Sequence, residues 1–169
     1  MTDTQETAAT REAAATRETH WLSPDEQRTW RAYIEANRLL NEALDRQLQR
    51  DAGMPHTYYE ILVRLADVPG HSLRMSELAH SSLSSRSRLS HAVSRLEERG
   101  WVRRESCPTD GRGALAVLTD EGYRVLREAA PAHVAEVRKR LMDRLTPEQV
   151  AQLGEIARAI CGESAEAAR

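Results

Sequence analysis

From Arg86 to Gly100 the chain reads Arg86-Ser-Arg-Leu-Ser-His-Ala-Val-Ser-Arg-Leu-Glu-Glu-Arg-Gly100. Leu89, Val93 and Leu96 fall at i, i+4 and i+7, which makes one apolar stripe on a helix, and Gly100 is placed to stop it. Upstream, Met75-Ser-Glu-Leu-Ala-His80 is a shorter helical pattern, joined by the polar turn Ser81-Ser-Leu-Ser-Ser85. Downstream, two β-type runs, Trp101–Ser106 and Ala114–Leu118, flank Cys107-Pro-Thr-Asp-Gly-Arg-Gly113. Ser72-Leu-Arg74 is short enough to be only a minimal third strand. Helix, turn, helix and a two-stranded ribbon with an arginine near its tip form the layout of a winged helix-turn-helix, here spanning Leu73 to Thr119. In that layout the second helix enters the major groove of double-stranded DNA.

The residues left outside the apolar stripe suit that task. Arg88 and Ser87 stand at the helix start, where side chains meet base edges. Arginine pairs bidentately with guanine, and serine is a sequence-tolerant donor or acceptor. Ser85, Arg86, Ser90, His91 and Arg95 are placed for phosphate or base contacts, and Arg104 on the following strand joins the DNA-facing set. Arg112 has the reach to enter a minor groove, whose narrow A·T tracts attract arginine. Asp110, an anion, is expected to hold Arg112 or fix the turn. The plainer alternatives are a solvated helix face and a wing turn carrying an exposed ion pair worth little. Charge favours the reader. From Ser72 to Gly113 eight arginines face five acids, a local excess of +3 in a chain whose net charge is −2. The frame is therefore acidic and the reader basic, as a phosphate-binding face requires.

The 169 residues are enough for one folded domain with extensions. Cys107 and Cys161 form no metal or disulfide framework. No apolar run approaches the roughly 20 residues of a membrane span, and no signal-peptide pattern opens the chain, so a cytoplasmic location is expected. Residues 1–19 lack apolar anchors and read as a disordered tail. Residues 20–54 read as a dimerisation helix. Ser23-Pro24-Asp25-Glu26 is a capping box with proline at the first helical position. Trp30, Tyr33, Ile34, Asn37, Leu40, Ala43, Leu44 and Leu48 then recur at helical spacing to about Gly53. A stripe of that length needs a second subunit to bury it. The winged domain occupies 55–119, opening with a helix over about His56–Ala66 that Pro69-Gly70 breaks. Residues 120–162 read as further dimerisation helices. Thr119 caps the first, which runs towards Leu145 with a kink near Ala130 imposed by Pro131. Thr146-Pro147-Glu148-Gln149 is a second capping box and opens a last helix to about Ile160. Residues 163–169 read as a flexible tail.

At this point the chain resembles the MarR (multiple antibiotic resistance regulator) family of bacterial transcription factors. Ser76-Glu-Leu-Ala79 carries the resemblance, with Val93-Ser-Arg-Leu-Glu-Glu-Arg-Gly-Trp-Val102 and Arg103-Arg104. So do Pro108-Thr-Asp-Gly-Arg-Gly113 and Leu118-Thr-Asp-Glu-Gly122, the Asp110-x-Arg112 pair being the most specific. The match in order and spacing covers about Ser23 to Ile160. It implies a mainly α fold with a small two- to three-stranded wing sheet, a winged helix-turn-helix between long N- and C-terminal dimerisation helices. It further implies an obligate homodimer on a palindromic operator, repression as the default, and a small aromatic or anionic effector in a cleft between dimer helices and reader. Trp30, Tyr33, Asn37, His56 and Tyr59 are the candidate walls of that cleft. Apolar bodies with polar tips would equally suit a dimer core. The serine-rich turn departs from the family, whose members often carry glycine or a second apolar residue there.

Four other readings are weaker. Cys107, at the end of a wing strand, would be a redox switch if its thiol were exposed and activated by Arg103 or Arg104. His20, His56, His71, His80, His91 and His133 lack zinc-type spacing, so neither metal nor cofactor is expected. No nucleophile elbow, P-loop or dinucleotide fingerprint supports an enzyme. A winged-helix protein-interaction module without DNA binding is the remaining rival, and the arginines of the second helix argue against it.

Overall fold

The computed structural model describes residues 19–81, 86–107 and 113–162, without the side chains of His80, Ser81 and Arg86. The expected N- and C-terminal tails through residue 18 and from 163, most of the serine-rich turn with Ser85, and the wing tip with Asp110 and Arg112 lie outside those residues. The chain up to Arg38 and the chain from Leu39 form two compact units.

Helix α1 spans Pro24–Ala52. At its start the Ser23 N–H donates to Glu26 Oε2 at 2.7 Å, and the Glu26 N–H donates to Ser23 Oγ at 3.3 Å. Both halves of the expected capping box are thus made. The helix ends where Gly53 takes φ +61°, a value that disfavours a side chain, close to the expected end. Met54 follows in full burial, its N–H on the Leu48 carbonyl at 3.3 Å.

From Leu39 on, one core is built around helix α2 (His56–Ala66), which buries Tyr59, Ile61, Leu62 and Leu65. A 3₁₀ turn over Pro69–His71 leads to strand β1 (Ser72–Arg74), then helix α3 (Met75–Ser81) and helix α4 (Arg86–Glu98). Strands β2 (Val102–Ser106) and β3 (Ala114–Leu118) form the wing. The sheet is antiparallel in the order β1-β3-β2, so the minimal third strand expected at Ser72–Arg74 is present at one edge. In register, Leu73 faces Ala116 and Arg104 faces Ala116 from the other side. The core collects Leu48, Met54, Leu78, Leu89, Val93, Leu96, Val102, Ala116, Leu118, Leu126 and Ala129 around α2. The α4 stripe expected from sequence, Leu89, Val93 and Leu96, is buried within it.

Helix α5 (Asp120–Arg140) carries Thr119 as its cap, the side-chain oxygen accepting from the Gly122 N–H at 3.0 Å. Pro131 sits on the exposed side of this helix and does not end it. The helix stops at Arg140 rather than running towards Leu145, because Leu141 leaves helical geometry at φ −128°, ψ −69°. A 3₁₀ turn over Met142–Arg144 intervenes. Helix α6 (Pro147–Cys161) then opens with the Thr146/Gln149 capping box and closes on Gly162 at φ +74°.

Candidate nucleic-acid interface

Burial on one side of α4 determines what its other side offers. With Leu89, Ala92, Val93 and Leu96 turned into the core, Ser87, Arg88, Ser90, His91 and Arg95 are all exposed. The helix presents two arginines, two serines and a histidine on that side. Arg95 is paired with Glu98 at 2.8 Å, and this carboxylate raises the arginine's already high pKa, so its charge is fixed. The pair is exposed and can exchange for a phosphate at little cost. Arg86 begins the helix, its side chain outside the described residues, as Ser85, Asp110 and Arg112 are entirely.

The C-terminal end of α4 is fixed by backbone and side chain together. Gly100 takes φ +73°, its N–H on the Glu97 carbonyl at 2.8 Å, and the Trp101 N–H reaches the Leu96 carbonyl at 3.0 Å. These are the two hydrogen bonds of a Schellman cap. Arg99 donates to the Gly53 carbonyl at 2.9 Å and lies 4.8 Å from the Trp101 ring centre and 5.8 Å from that of Tyr58. The end of α4 is thereby tied to the α1–α2 junction through a cation over two aromatic faces.

Two of the expected wing residues behave differently from expectation. Arg104 turns its side chain towards α4, pairing with Glu97 at 3.3 Å and donating to the Ser90 carbonyl at 2.8 Å. Cys107 is buried at 6% exposure, and its N–H closes the wing on the Gly113 carbonyl at 2.8 Å. An exposed thiol is the premise of the redox reading, and burial removes it, since burial opposes both oxidant access and the thiolate. Cys161, at the end of α6, is the exposed cysteine.

The expected effector walls divide between the two units. Before Leu39, Trp30 and Tyr33 have ring centres 6.3 Å apart, and Asn37 donates to the Tyr33 carbonyl at 3.3 Å. After it, His56 and Tyr59 line a cavity of about 310 Å³ with Glu60, Val63, Arg64, Asp67 and His133. From sequence, His133 reads only as one of six histidines without metal-type spacing. Its place on the inner face of α5 with Leu126 and Ala129, at i−7 and i−4, is the signal that would have found it.

His133 of the cavity wall ends a short hydrogen-bonded chain with Gln47 and Asp51. Gln47 Nε2 donates to Asp51 Oδ2 at 3.1 Å, which fixes the amide, because a carboxylate only accepts. Gln47 Oε1 then faces His133 Nδ1 at 3.3 Å, so that nitrogen carries the proton. The ring centre of Tyr59 lies 4.3 Å and that of His56 5.5 Å from His133. Burial, and then the neighbouring His56, hold the His133 pKa below the ordinary histidine value. Burial likewise raises that of Tyr59. Among the described residues no group of three or more histidine, cysteine or acidic side chains is placed to hold a metal. Nor is any helix there long and apolar enough to cross a membrane.

Comparison with known proteins agrees with this geometry. A family model described as MarR family matches residues 52–113, from the end of α1 to the wing. The crystal structure of Sco3205, a MarR family transcriptional regulator from Streptomyces coelicolor solved in complex with DNA, is 62% identical. It superposes at TM-score 0.80 over 83% of this chain and 92% of that one. AbsC, a MarR family transcriptional regulator from the same organism, is 44% identical at TM-score 0.79, over 85% and 97% of the two chains. The transcriptional repressor MprA of Escherichia coli K12 is 34% identical over 79 residues, which is 47% of this chain. The matched segment spans only 45% of MprA, less than half of its length. A 62% identical relative covered almost end to end, with the same mainly helical winged fold, shows that the chain belongs to the MarR family.

Proposed function

We propose that the protein is a transcriptional regulator that binds an inverted-repeat DNA operator as a homodimer and represses from it. The observation that carries this reading is α4. One face is locked in the core, and Ser87, Arg88, Ser90, His91 and Arg95 stand exposed beside a three-stranded wing. A 62% identical relative solved in complex with DNA supports the same assignment. Arg88 and Ser87 read base edges, while Arg86, His91, Arg95 and Ser85 contact phosphate or base. Arg112 enters the minor groove, and Asp110 either holds it or fixes the turn. A small aromatic or anionic effector, seated against His56 and Tyr59, releases the DNA. The 310 Å³ cavity with Arg64 and His133 on its wall supports that arm.

One experiment tests both arms: fluorescence anisotropy on a labelled duplex that the wild type selects from a random pool, beside a scrambled duplex of equal length. Arg88→Ala should cost about 1–3 kcal/mol per half-site on the selected duplex and less on the scrambled one. Arg112→Ala should weaken both and flatten the salt dependence by about 0.9 in log–log slope for each phosphate left without its cation. The reverse pattern would exchange their roles, and no binding by the wild type would end the reading. Benzoate should bind the free protein more tightly than the DNA complex. Equal affinities would refute release, whatever their strength, because a ligand shifts an equilibrium only through differential affinity.

A further inference from the structure

Arg104 occupies the middle of β2, opposite the fully buried Ala116 of β3. From there it engages three residues of the recognition helix. Its backbone N–H donates to Glu97 Oε1 at 3.0 Å, and its Nη1 pairs with Glu97 Oε2 at 3.3 Å. Its Nη2 donates to the Ser90 carbonyl at 2.8 Å and to Ser94 Oγ at 3.1 Å, with Ser90 Oγ at 3.4 Å. Ser90, Ser94 and Glu97 lie at i, i+4 and i+7, so they form one polar row along two turns of α4. A single guanidinium spans that row. The side chains of Arg104 and Glu97 are each only 31% exposed, which places the pair partly between strand and helix.

We propose that Arg104 is a positioning residue that staples the recognition helix to the wing strand, so that the two meet DNA as one rigid body. The proposal rests on the DNA-binding reading and changes the role within it of one arginine expected to face DNA. Planarity is what makes the staple possible. The guanidinium offers donors in a fixed fork, where an ammonium is a compact point charge on a flexible stem. Its Nη2 already reaches acceptors on α4 and its Nη1 reaches Glu97, so the guanidinium is turned to the helix. Holding helix and strand together beforehand removes part of the ordering cost of binding. Glu97 has a defined purpose in the same scheme. An acid inside a basic reader repels phosphate, yet here it receives both the backbone and the side chain of Arg104.

The test compares Arg104→Lys, Arg104→Ala and Glu97→Gln on the selected and scrambled duplexes across a salt series. Arg104→Lys keeps the charge, and Glu97→Gln keeps the shape while removing an anion from the DNA-facing region. For a staple, all three should lose about tenfold on the selected duplex, the loss of hydrogen bonds to a charged group. Their salt slopes should stay at the wild-type value, because every phosphate keeps its cation. Weaker binding after neutralising Glu97 is the opposite of what simple charge repulsion gives. Arg104→Lys at wild-type affinity, Arg104→Ala with a slope flattened by about 0.9, or tighter binding by Glu97→Gln would make Arg104 a phosphate ligand and overturn the proposal. Hydrogen exchange reads the staple without DNA. Arg104→Lys should speed exchange of the Ser94–Glu98 amides about tenfold and leave α2 unchanged. Unaltered α4 protection would overturn the staple even if the wild type bound no DNA, whereas absent DNA binding with the expected exchange would fault only the functional reading beneath it.

Discussion

Gly122 shows how much of this fold a single residue can decide. It lies in the first turn of α5, directly over the turn that ends α4. A Cβ there would collide with the Trp101 carbonyl oxygen and sit 2.8 Å from Leu118 Cδ1. The close approach serves a small network: the Thr119 N–H donates to that same carbonyl at 3.1 Å, and the Thr119 hydroxyl donates to the Gly100 carbonyl at 2.7 Å. Recognition helix, wing and α5 meet at this point through backbone groups that cannot move aside independently. Gly122→Ala should therefore destabilise the protein by about 2–3 kcal/mol, in the range of overpacking substitutions. In a chain of this size that is a fall in melting temperature of about 5–10 °C. A thermal melt within about 1 °C of wild type would mean that the close approach relaxes freely.

At the scale of elements, what the sequence made legible was local. The capping boxes at Ser23/Glu26 and Thr146/Gln149 and the Thr119 cap depend on residues three apart, and all three are present. The stripe Leu89, Val93 and Leu96 depends only on helical period. Long-range packing decided the rest. Met54 follows a helix-ending glycine and gives no periodic signal, yet it is fully buried. Burial of Cys107 depends on how the wing seats on its neighbours, and the inward turn of Arg104 needs the acceptors of another element. The α2–α5 packing around His133 belongs to the same class, and it has a pH signature. The groups around that imidazole are His56, Tyr59, Glu60, Arg64 and Asp67 of the cavity wall, with Gln47 from α1. Since the folded pKa is lowered, the unfolded chain takes up its proton first, near the ordinary value of about 6.5. This contribution to stability is complete above that value, declines as pH falls through it, and levels off below the folded pKa. Thermal melts between about pH 5 and 8 should fall more steeply on acidification for wild type than for His133→Gln. Parallel curves would show that His133 does not titrate differently in the two states.

At the scale of the molecule, the unsatisfied surfaces argue for a second copy of the chain. Helix α6 has caps at both ends but no buried residue, and Ile156 and Ile160 are 56% and 64% exposed. On α1, Trp30, Tyr33 and Ile34 are likewise exposed. A 15-residue helix draws little stability from its own backbone, so its apolar face has to be covered. Fully burying an isoleucine contributes about 1.5–3 kcal/mol, and two-fold symmetry counts each one twice. The chain should therefore sediment near twice its 19.0 kDa mass. Ile156→Glu with Ile160→Glu should yield a folded monomer, because neither residue belongs to the core that holds α4. That monomer should lose about 10²–10⁴-fold in affinity for the selected duplex, the effective-concentration advantage of two linked readers. The geometry of the DNA supplies an independent check. Readers related by a two-fold axis should recognise half-sites about one helical turn, or a multiple of it, apart. Inserting about 5 bp between the half-sites turns one of them to the opposite face of the duplex. The wild type should then bind no better than the double variant, while the double variant itself should be indifferent to the insertion. A wild type equally tolerant of the insertion would mean that its two readers are not held in a fixed spacing, and a monomeric wild type would remove the two-fold argument altogether.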